Sequence, residues 1–313
     1  MRARIEDHLR RISFDLIIAN GLYALLNVPQ TGVPIILNCH NVEYIIIERF
    51  AAIEKSYAKK RYAVREAQWV RDAEEQACKR VTTAMVCSDY DRQLIRQLRP
   101  ELPVFVVPNV VDTYSYTPAE AEHVQKGDCV ILFQGSMDWY PNRDAVEFFA
   151  LKIFPVIRGR YPSARFVVAG RNPSPRFVHK FNLCDGVEFT GTVPDMRPYL
   201  AAATVIVVPL RLGSGTRIKI LEGCAAGKPV VSTRVGAEGL DLRPGIEILL
   251  ADEPAEFAQK VIRLLENPQL QNAIGQSARA KAVACYSQSN VNGIIGKAIS
   301  SASRESATSE AIQ

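Results

Sequence analysis

Small and charged residues that could bind a phosphorylated ligand are clustered between Gly213 and Glu222. Gly213 and Gly215 permit a sharp loop whose backbone can approach a ligand closely. Arg217 and Lys219 then stand at the start of a predicted helix, where the helix dipole and its free N–H groups favour an anion such as a diphosphate. Glu222, a turn further on, can accept hydrogen bonds from sugar hydroxyls. The alternative is an exposed pair of Lys219 and Glu222, which would stabilise the helix by only about 0.2–0.5 kcal/mol.

Two predicted strands must position this helix. The run 204–209 is short and rich in β-branched residues, which is typical of a buried strand. Ser214 or Thr216 can cap the start of the helix, and Gly227 and Pro229 end it before a second strand. The pattern predicts a strand–helix–strand crossover in a parallel sheet. Three apolar residues have the spacing of a core-facing helical stripe: Ile218, Leu221 and Ala225.

A histidine ends another predicted strand, 34–40, and begins the segment HNVEY. Ligands of open parallel sheets bind outside the carboxyl ends of the strands. His40 is therefore a candidate catalytic residue, and Glu43 is a weaker one. A structural role is the alternative for a lone histidine at the end of a strand.

Composition excludes several classes of protein. The 313 residues are 48% hydrophobic and 23% charged, as in ordinary globular proteins, and suggest about two domains. No apolar run is long enough to span a membrane, and the start of the chain lacks the apolar run of a signal peptide. Seven scattered cysteines favour reduced thiols and a cytoplasmic protein. The net charge of +5 is compatible with a phosphate-bearing ligand but too small to indicate nucleic-acid binding.

The motifs of common cofactor and metal sites are missing from the sequence. Residues 223–228 have the wrong spacing for a phosphate-binding Walker loop, and Gly213 and Gly215 do not continue into a dinucleotide-binding fingerprint. No pair of cysteines or histidines has a spacing typical of zinc. The sequence therefore predicts neither a cofactor nor a metal.

The segment LRLGSGTRIKILEGCAAGKPVVST, residues 210–233, resembles the donor-binding segment of family 4 glycosyltransferases, which have the GT-B fold. The family motif has two glutamates separated by seven residues. Glu222 matches the second, whereas Ser214 stands at the first, as it does in a subset of the family. The resemblance implies an α/β fold of two Rossmann-like parallel-sheet domains and a retaining, metal-independent transfer of sugar from a nucleotide-diphosphate sugar, the donor substrate.

The resemblance also implies roles for individual residues. Arg217 and Lys219 would bind the diphosphate, Glu222 the ribose, and His40 the donor sugar. The backbone of Gly191, Thr192 and Val193 would bind the nucleotide base. Four further residues are expected at the diphosphate: Gly135, Asn142, Gly215 and Thr216.

The resemblance extends over most of the chain after Phe14 and predicts its division into domains. Residues 1–125 would form the acceptor-side domain, which looks incomplete at its start, and 126–290 the nucleotide-sugar-binding domain. The polar stretch 117–128 reads as a linker, and the small, polar tail 291–313 as partly disordered.

A basic helix is predicted within residues 51–80, where tyrosines are interleaved with lysines and arginines in the first half. Its simplest interpretation is a solvated helix face. The alternative is peripheral contact of residues 55–65 with an anionic membrane surface, which would be the inner face of the membrane, or with a lipid-linked acceptor.

The sequence therefore predicts a glycosyltransferase that acts on a glycan or lipid-linked acceptor, with polysaccharide assembly as the commonest family context. A truncated, non-catalytic protein that binds a nucleotide-sugar remains an alternative, as does a sugar-nucleotide epimerase of the same fold. The sequence identifies neither the sugar, nor the base, nor the acceptor.

Overall fold

The computed structural model describes residues 1–118 and 129–310. The first range contains, in chain order, α1 (Arg2–Arg11), β1 (Ile17–Asn20), α2 (Leu22–Leu25), β2 (Ile35–Cys39), α3 (Glu43–Ile53), α4 (Tyr57–Lys79), β3 (Thr83–Val86), α5 (Asp89–Leu98) and β4 (Val104–Val106). The second contains β5 (Val130–Gln134), α6 (Tyr140–Phe148), a π-helical turn (Phe149–Ile153), α7 (Phe154–Arg160), β6 (Arg165–Ala169), α8 (Pro175–His179), β7 (Val187–Gly191), α9 (Arg197–Ala202), β8 (Val205–Val208), α10 (Ile218–Ala225), β9 (Val230–Ser232), α11 (Arg234–Ala237), β10 (Leu249–Leu250), α12 (Pro254–Glu266), α13 (Pro268–Tyr286) and α14 (Gln288–Glu310).

The chain forms two compact units. Among the described residues, unit 1 comprises 1–109, 214–216 and 289–310, and unit 2 comprises 110–118, 129–213 and 217–288. Each unit contains one parallel sheet, which confirms the predicted α/β class. Residues 119–128, which include most of the predicted linker and the predicted boundary at 125, lie outside the described residues.

Unit 1 is built on a four-stranded sheet in the order β1-β2-β3-β4. Apolar residues of these strands, such as Leu37 and Ala84, pack against the helices of the unit. In α14, Ala298 and Ala302 pack against the sheet residues Ile36 and Met85. The tail predicted to be partly disordered is thus helical in the structure up to residue 310, and 311–313 lie outside the described range.

The helical stretch predicted for 51–80 is largely present as α4, but it is not continuous, since α3 ends at Ile53 and α4 begins at Tyr57. The backbone of Glu54 is extended, and its side chain accepts a hydrogen bond of 2.8 Å from the N–H of Ser56. This local bond replaces the helical hydrogen bonds at the junction. Within residues 1–118 and 129–310, no helix has the length and apolarity that a membrane crossing requires.

Unit 2 is built on a six-stranded sheet in the order β10-β9-β8-β5-β6-β7. Its central strands β5 and β8 are short and buried along their whole length, as expected of a parallel sheet covered on both faces. Phenylalanines fill part of the core. The ring centroid of Phe149 lies 4.4 Å from that of Phe166 and 5.9 Å from that of Phe257. The last strand of the chain, β10, has only two residues.

The crossover from β8 through α10 to β9 has the predicted parallel geometry, with two corrections. Ile218 is 48% exposed because it stands at the first position of α10, and the core stripe consists of Ile220, Leu221, Cys224 and Ala225. Arg217, with extended backbone, stands at the N-cap without a side-chain cap. The hydroxyls of Ser214 and Thr216 instead accept hydrogen bonds from residues of unit 1.

Candidate active site

The candidate donor-binding residues of unit 2 lie where the order of the strands reverses. The chain runs outward from β5 through β6 to β7, and then returns to the other side of β5 with β8. Such a switch point leaves a crevice between the loops that follow the two central strands, and ligands of α/β sheets bind there. Gly135 follows β5, and the loop into α10 follows β8.

Three predicted diphosphate residues come together at this point: Gly135, Asn142 and Lys219. The ammonium of Lys219 donates a 2.8 Å hydrogen bond to Oδ1 of Asn142 and lies 4.2 Å from the ring centroid of Phe133. Asn142 is buried, and its amide donates to the carbonyl of Ser136 at 2.8 Å, which fixes the orientation of its Oδ1. We call these three residues the Lys219 cluster.

A second cation stands close to the Lys219 cluster. The side chain of Arg217 is buried, and a Cβ on Gly213 would lie only 2.5 Å from its Nη2. Burial and, to a smaller extent, the charge of Arg217 lower the pKa of Lys219 to about 7, whereas the charge of Glu222 opposes the shift. Because a bound anion would favour the charged form of both side chains, the arrangement suits a phosphate group.

The depressed pKa of Lys219 leads to a prediction about pH. The ordinary pKa of 10.5 applies to the unfolded chain, which therefore holds one more proton than the folded chain between about pH 7 and 10.5. The contribution of Lys219 to the free energy of unfolding is thus smallest below pH 7 and rises with pH across this window. A bound diphosphate should recharge the lysine, so nucleotide binding at pH 8 is expected to take up a proton and to weaken as pH rises.

Calorimetry at pH 8 in buffers of different ionisation enthalpy would measure this proton uptake. Lys219→Met should abolish it, because methionine cannot titrate. Equal uptake by the variant and the wild type would show that another group takes up the proton.

Glu222 is held by two residues from other elements. Its Oε2 accepts a 2.6 Å hydrogen bond from Nε2 of Gln134, and its Oε1 accepts one of 3.1 Å from the hydroxyl of Tyr116. Burial raises the pKa of Glu222, while its bond to Tyr116, the charge of Lys219 and its bond to Gln134 act in the opposite direction. Lys219 and Glu222 therefore bind different partners rather than forming the simple surface pair. Since each carboxylate oxygen can accept two hydrogen bonds, the carboxylate retains capacity for ligand hydroxyls.

Arg279 of α13 supports the position of Tyr116. Its guanidinium donates to the carbonyl of Tyr116 at 2.8 Å, to that of Thr113 at 3.4 Å, and to that of Ala225 at the end of α10. The segment that carries Tyr116 and the helix that carries Glu222 are thereby tied to the same side chain.

The predicted base-binding residues lie at the edge of the sheet of unit 2. Gly191 is the last residue of β7 and has a φ of +70°, and the exposed Thr192 and partly buried Val193 follow it. The carbonyl of Gly191 accepts hydrogen bonds from the N–H of Gly170 at 3.3 Å and from the hydroxyl of Thr190 at 2.9 Å. These residues are at the same end of the sheet as the Lys219 cluster, two strands away from β5.

The remaining predicted residues belong to unit 1. His40 is exposed directly after β2, and its Nε2 lies 3.4 Å from Nδ2 of Asn38. Gly215 has a φ of +72°, and a Cβ there would lie 2.1 Å from the carbonyl oxygen of His40, so glycine is required at this contact. The hydroxyl of Thr216 accepts a 2.7 Å hydrogen bond from Nδ2 of Asn109, at the end of the segment that follows β4.

Glu43 begins α3, and burial raises the pKa of its carboxyl group. The carboxyl group of Glu74, on α4, accepts hydrogen bonds from the N–H groups of Glu43 and Tyr44 at 2.9 and 3.3 Å. Glu74 is itself buried, which raises its pKa to about 7. These hydrogen bonds fix the start of α3, which lies within the HNVEY segment.

Two family models match successive parts of the chain. The Glycosyltransferase Family 4 model matches residues 1–114, and the Glycosyl transferases group 1 model matches residues 128–267. The chain belongs to the family 4 glycosyltransferases. A D-inositol 3-phosphate glycosyltransferase of Acidothermus cellulolyticus is 29% identical over 210 residues, which cover 61% of this chain and 46% of that protein. The chain spans less than half the length of the curated relatives that it matches.

Solved structures share the fold of this family 4 chain. The sucrose-phosphate synthase of Thermosynechococcus elongatus has a TM-score of 0.76 at 16% identity, covering 95% of this chain and 75% of that one. Anabaena HepE, solved in complex with UDP and glucose, has a TM-score of 0.72 at 17% identity, covering 96% of this chain and 80% of that one.

Sequence reasoning missed three residues that support the candidate site: Gln134, Tyr116 and Arg279. Gln134 had a usable signal, because a polar residue ends an otherwise apolar strand that leads into the Gly135 loop. Tyr116 and Arg279 had none, since each reaches the site only through tertiary packing.

Gly135→Ala is expected to keep the fold and to weaken nucleotide binding by about tenfold, comparable to the loss of one charge-assisted hydrogen bond. A Cβ at residue 135 would lie 2.7 Å from Nδ2 of Asn142 and 2.8 Å from Nζ of Lys219, so both side chains would have to move. Isothermal titration with the preferred nucleotide would measure the change. Gly159→Ala is the matched control, since nothing lies within 4 Å of the added carbon. Equal affinities of the two variants would contradict the role of the Lys219 cluster.

Proposed function

We propose that this protein transfers a sugar from a nucleotide-diphosphate sugar to a glycan or lipid-linked acceptor, with retention at the anomeric carbon and without a metal ion. The observation that carries the proposal is the pair of basic side chains, Lys219 and the buried Arg217, at the switch point of unit 2. The pKa of Lys219 is lowered there to about 7. Two such groups close together favour a ligand with more than one negative charge. Glu222 lies about one turn further along α10, and we assign the ribose of the nucleotide to its carboxylate.

In the proposed mechanism the leaving group, the nucleoside diphosphate, is bound by unit 2. Arg217 and Lys219 stabilise the charge that develops on the departing diphosphate, and fixed charges in a partly buried site are especially effective in this role. Asn142 orients Lys219, and Gly135 leaves room for both. Glu222 accepts hydrogen bonds from the ribose, and the backbone of 191–193 binds the base.

We also propose roles for four residues of unit 1. His40 and Glu43 act on the transferred sugar. Gly215 and Thr216 are proposed to present backbone and hydroxyl groups to the diphosphate, in a loop held by Asn109 and by the approach to His40.

Thermal unfolding of the full chain with UDP, GDP, ADP and dTDP tests donor binding. A nucleotide at a hundred times its Kd should raise the free energy of unfolding by about 2.7 kcal/mol, which is a shift of several degrees in Tm. The preferred base then selects the nucleotide-sugars for a transfer assay, and NMR of the anomeric proton of the product reports retention or inversion. Stabilisation by none of the four nucleotides would overturn the proposed donor site, whereas an inverted product would overturn only the retaining mechanism.

A further inference from the structure

The outer face of α4 carries large aromatic side chains that the fold does not use. Tyr57, Tyr62 and Trp69 are 78%, 61% and 59% exposed. Tyr57 and Trp69, together with Arg61 and Arg65, recur every four residues and so lie along one side of the helix. With Tyr62 they line a shallow groove of about 420 Å³. We call these five residues the aromatic–basic face.

Packing within unit 1 does not explain the aromatic–basic face. The side of α4 that packs on the rest of the unit is a different one and includes Ala63, Ala67 and Ala77. The exposed rings therefore contribute little to the core, and leaving three of them in water forgoes the free energy that burial of apolar area provides. A cluster of exposed aromatic residues on one helix face is typical of an interaction surface.

The first half of the aromatic–basic face carries charge of a single sign, whereas Glu66 lies near its Trp69 end. Between residues 55 and 65 the sequence has five basic residues and no acidic one: Lys55, Lys59, Lys60, Arg61 and Arg65. All five are exposed. The guanidinium of Arg65 lies 5.7 Å from the ring centroid of Trp69, so a cation and an aromatic ring are presented side by side.

We infer that this face binds the surface of a bilayer that contains anionic phospholipid. Tyrosine and tryptophan rings favour the headgroup region, where the ring is in an apolar layer and the polar group remains hydrated. Lysines and arginines beside them meet the lipid phosphates. The helix would lie in the plane of the interface, and because it is too polar to cross the bilayer, the contact is peripheral. The inference does not depend on the proposed transferase activity.

Cosedimentation of the full chain with vesicles tests the inference, with phosphatidylglycerol mixed into phosphatidylcholine and with phosphatidylcholine alone. Binding is expected only with the anionic vesicles and should weaken with added salt. Since each basic residue near an anionic surface changes binding by about fivefold, Arg61→Glu with Arg65→Glu should reduce it by well over tenfold. Lys152→Glu with Arg176→Glu changes the net charge equally at exposed sites of unit 2 and should have little effect.

The aromatic side chains are tested separately from the charges. Tyr62→Ala with Trp69→Ala should lose binding at unchanged net charge, while thermal unfolding verifies that the fold is retained. In a Trp139→Phe background, Trp69 is the sole tryptophan, and its emission should shift to the blue on anionic vesicles. Equal losses in the Lys152/Arg176 control, no shift of Trp69 emission, or equal affinity for a soluble polyanion such as heparin would overturn the assignment to a bilayer.

Discussion

Lys219→Met is expected to reduce kcat/KM for transfer by about 100- to 1,000-fold, the usual effect of removing one group that stabilises transition-state charge. Nucleotide diphosphate binding should weaken less, by about 10- to 100-fold, because only part of the charge is present in the ground state. Methionine keeps the length of the side chain over the ring of Phe133 but supplies no charge. The free protein should remain folded, since the variant removes a charge whose burial is unfavourable.

Lys228→Met is the matched control for this prediction. Lys228 is also partly buried, burial also lowers its pKa, and its ammonium donates to the carbonyl of Ala201 at 2.6 Å. It stands outside the proposed donor site, so its replacement should leave the affinity for nucleotide within about twofold. An equal loss in both variants would mean that the effect of Lys219→Met comes from a general disturbance of unit 2.

Glu222→Ala is expected to weaken binding of the preferred nucleoside diphosphate by about 100-fold, since two hydrogen bonds from ribose hydroxyls to a carboxylate would be lost. The same substitution should hardly change binding of the 2′,3′-dideoxy analogue, which has no hydroxyls to donate. Titration calorimetry of both nucleotides with both proteins completes a cycle that isolates the ribose contact. Equal losses for the two nucleotides would contradict a ribose role for Glu222.

Tyr116→Phe tests how much the positioning of Glu222, as distinct from its direct contact with the ligand, contributes to nucleotide affinity. The variant removes the 3.1 Å hydrogen bond to the carboxylate but leaves the bond from Gln134. We expect a loss of only a few fold, consistent with the net worth of one hydrogen bond. If Tyr116→Phe weakened binding as much as Glu222→Ala does, the tyrosine hydroxyl would be the more direct ligand.

The arrangement of strands and helices could largely be predicted from local sequence, because each element of a parallel sheet has its own signal. The crossover from β8 through α10 to β9, for example, was predicted from a β-branched run, a helical pattern and the glycine and proline that follow it. The break between α3 and α4 was missed, since no glycine or proline marks it and the side-chain bond of Glu54 found there leaves no trace in the periodic pattern. Periodicity also misassigned Ile218 to the core, because the spacing of residues in the first turn of a helix does not show which face of that turn is buried by the rest of the protein.

The candidate site was predictable only where its residues are close in sequence. Lys219 and Glu222 share a face of α10, so their proximity follows from helical geometry. The positions of the partners that decide their chemistry do not follow from helical geometry. Asn142 is 77 residues from Lys219 along the chain, and Tyr116 is 106 residues from Glu222. Such contacts depend on the order of strands in the sheet, which local patterns do not encode. The pKa of Lys219 follows from those neighbours and was equally hidden.

The contacts of Arg279 imply that damage to the proposed donor site can originate far from it. This arginine holds the backbone of Thr113 and Tyr116 and the last turn of α10, yet it contributes no atom to the Lys219 cluster or to Glu222. A substitution of Arg279 would release the tyrosine that holds Glu222, and under the proposed function its phenotype would resemble a lesion in nucleotide recognition. Variants of unknown effect in α13 should therefore be sorted by what their side chains anchor, and not by their distance from the ligand.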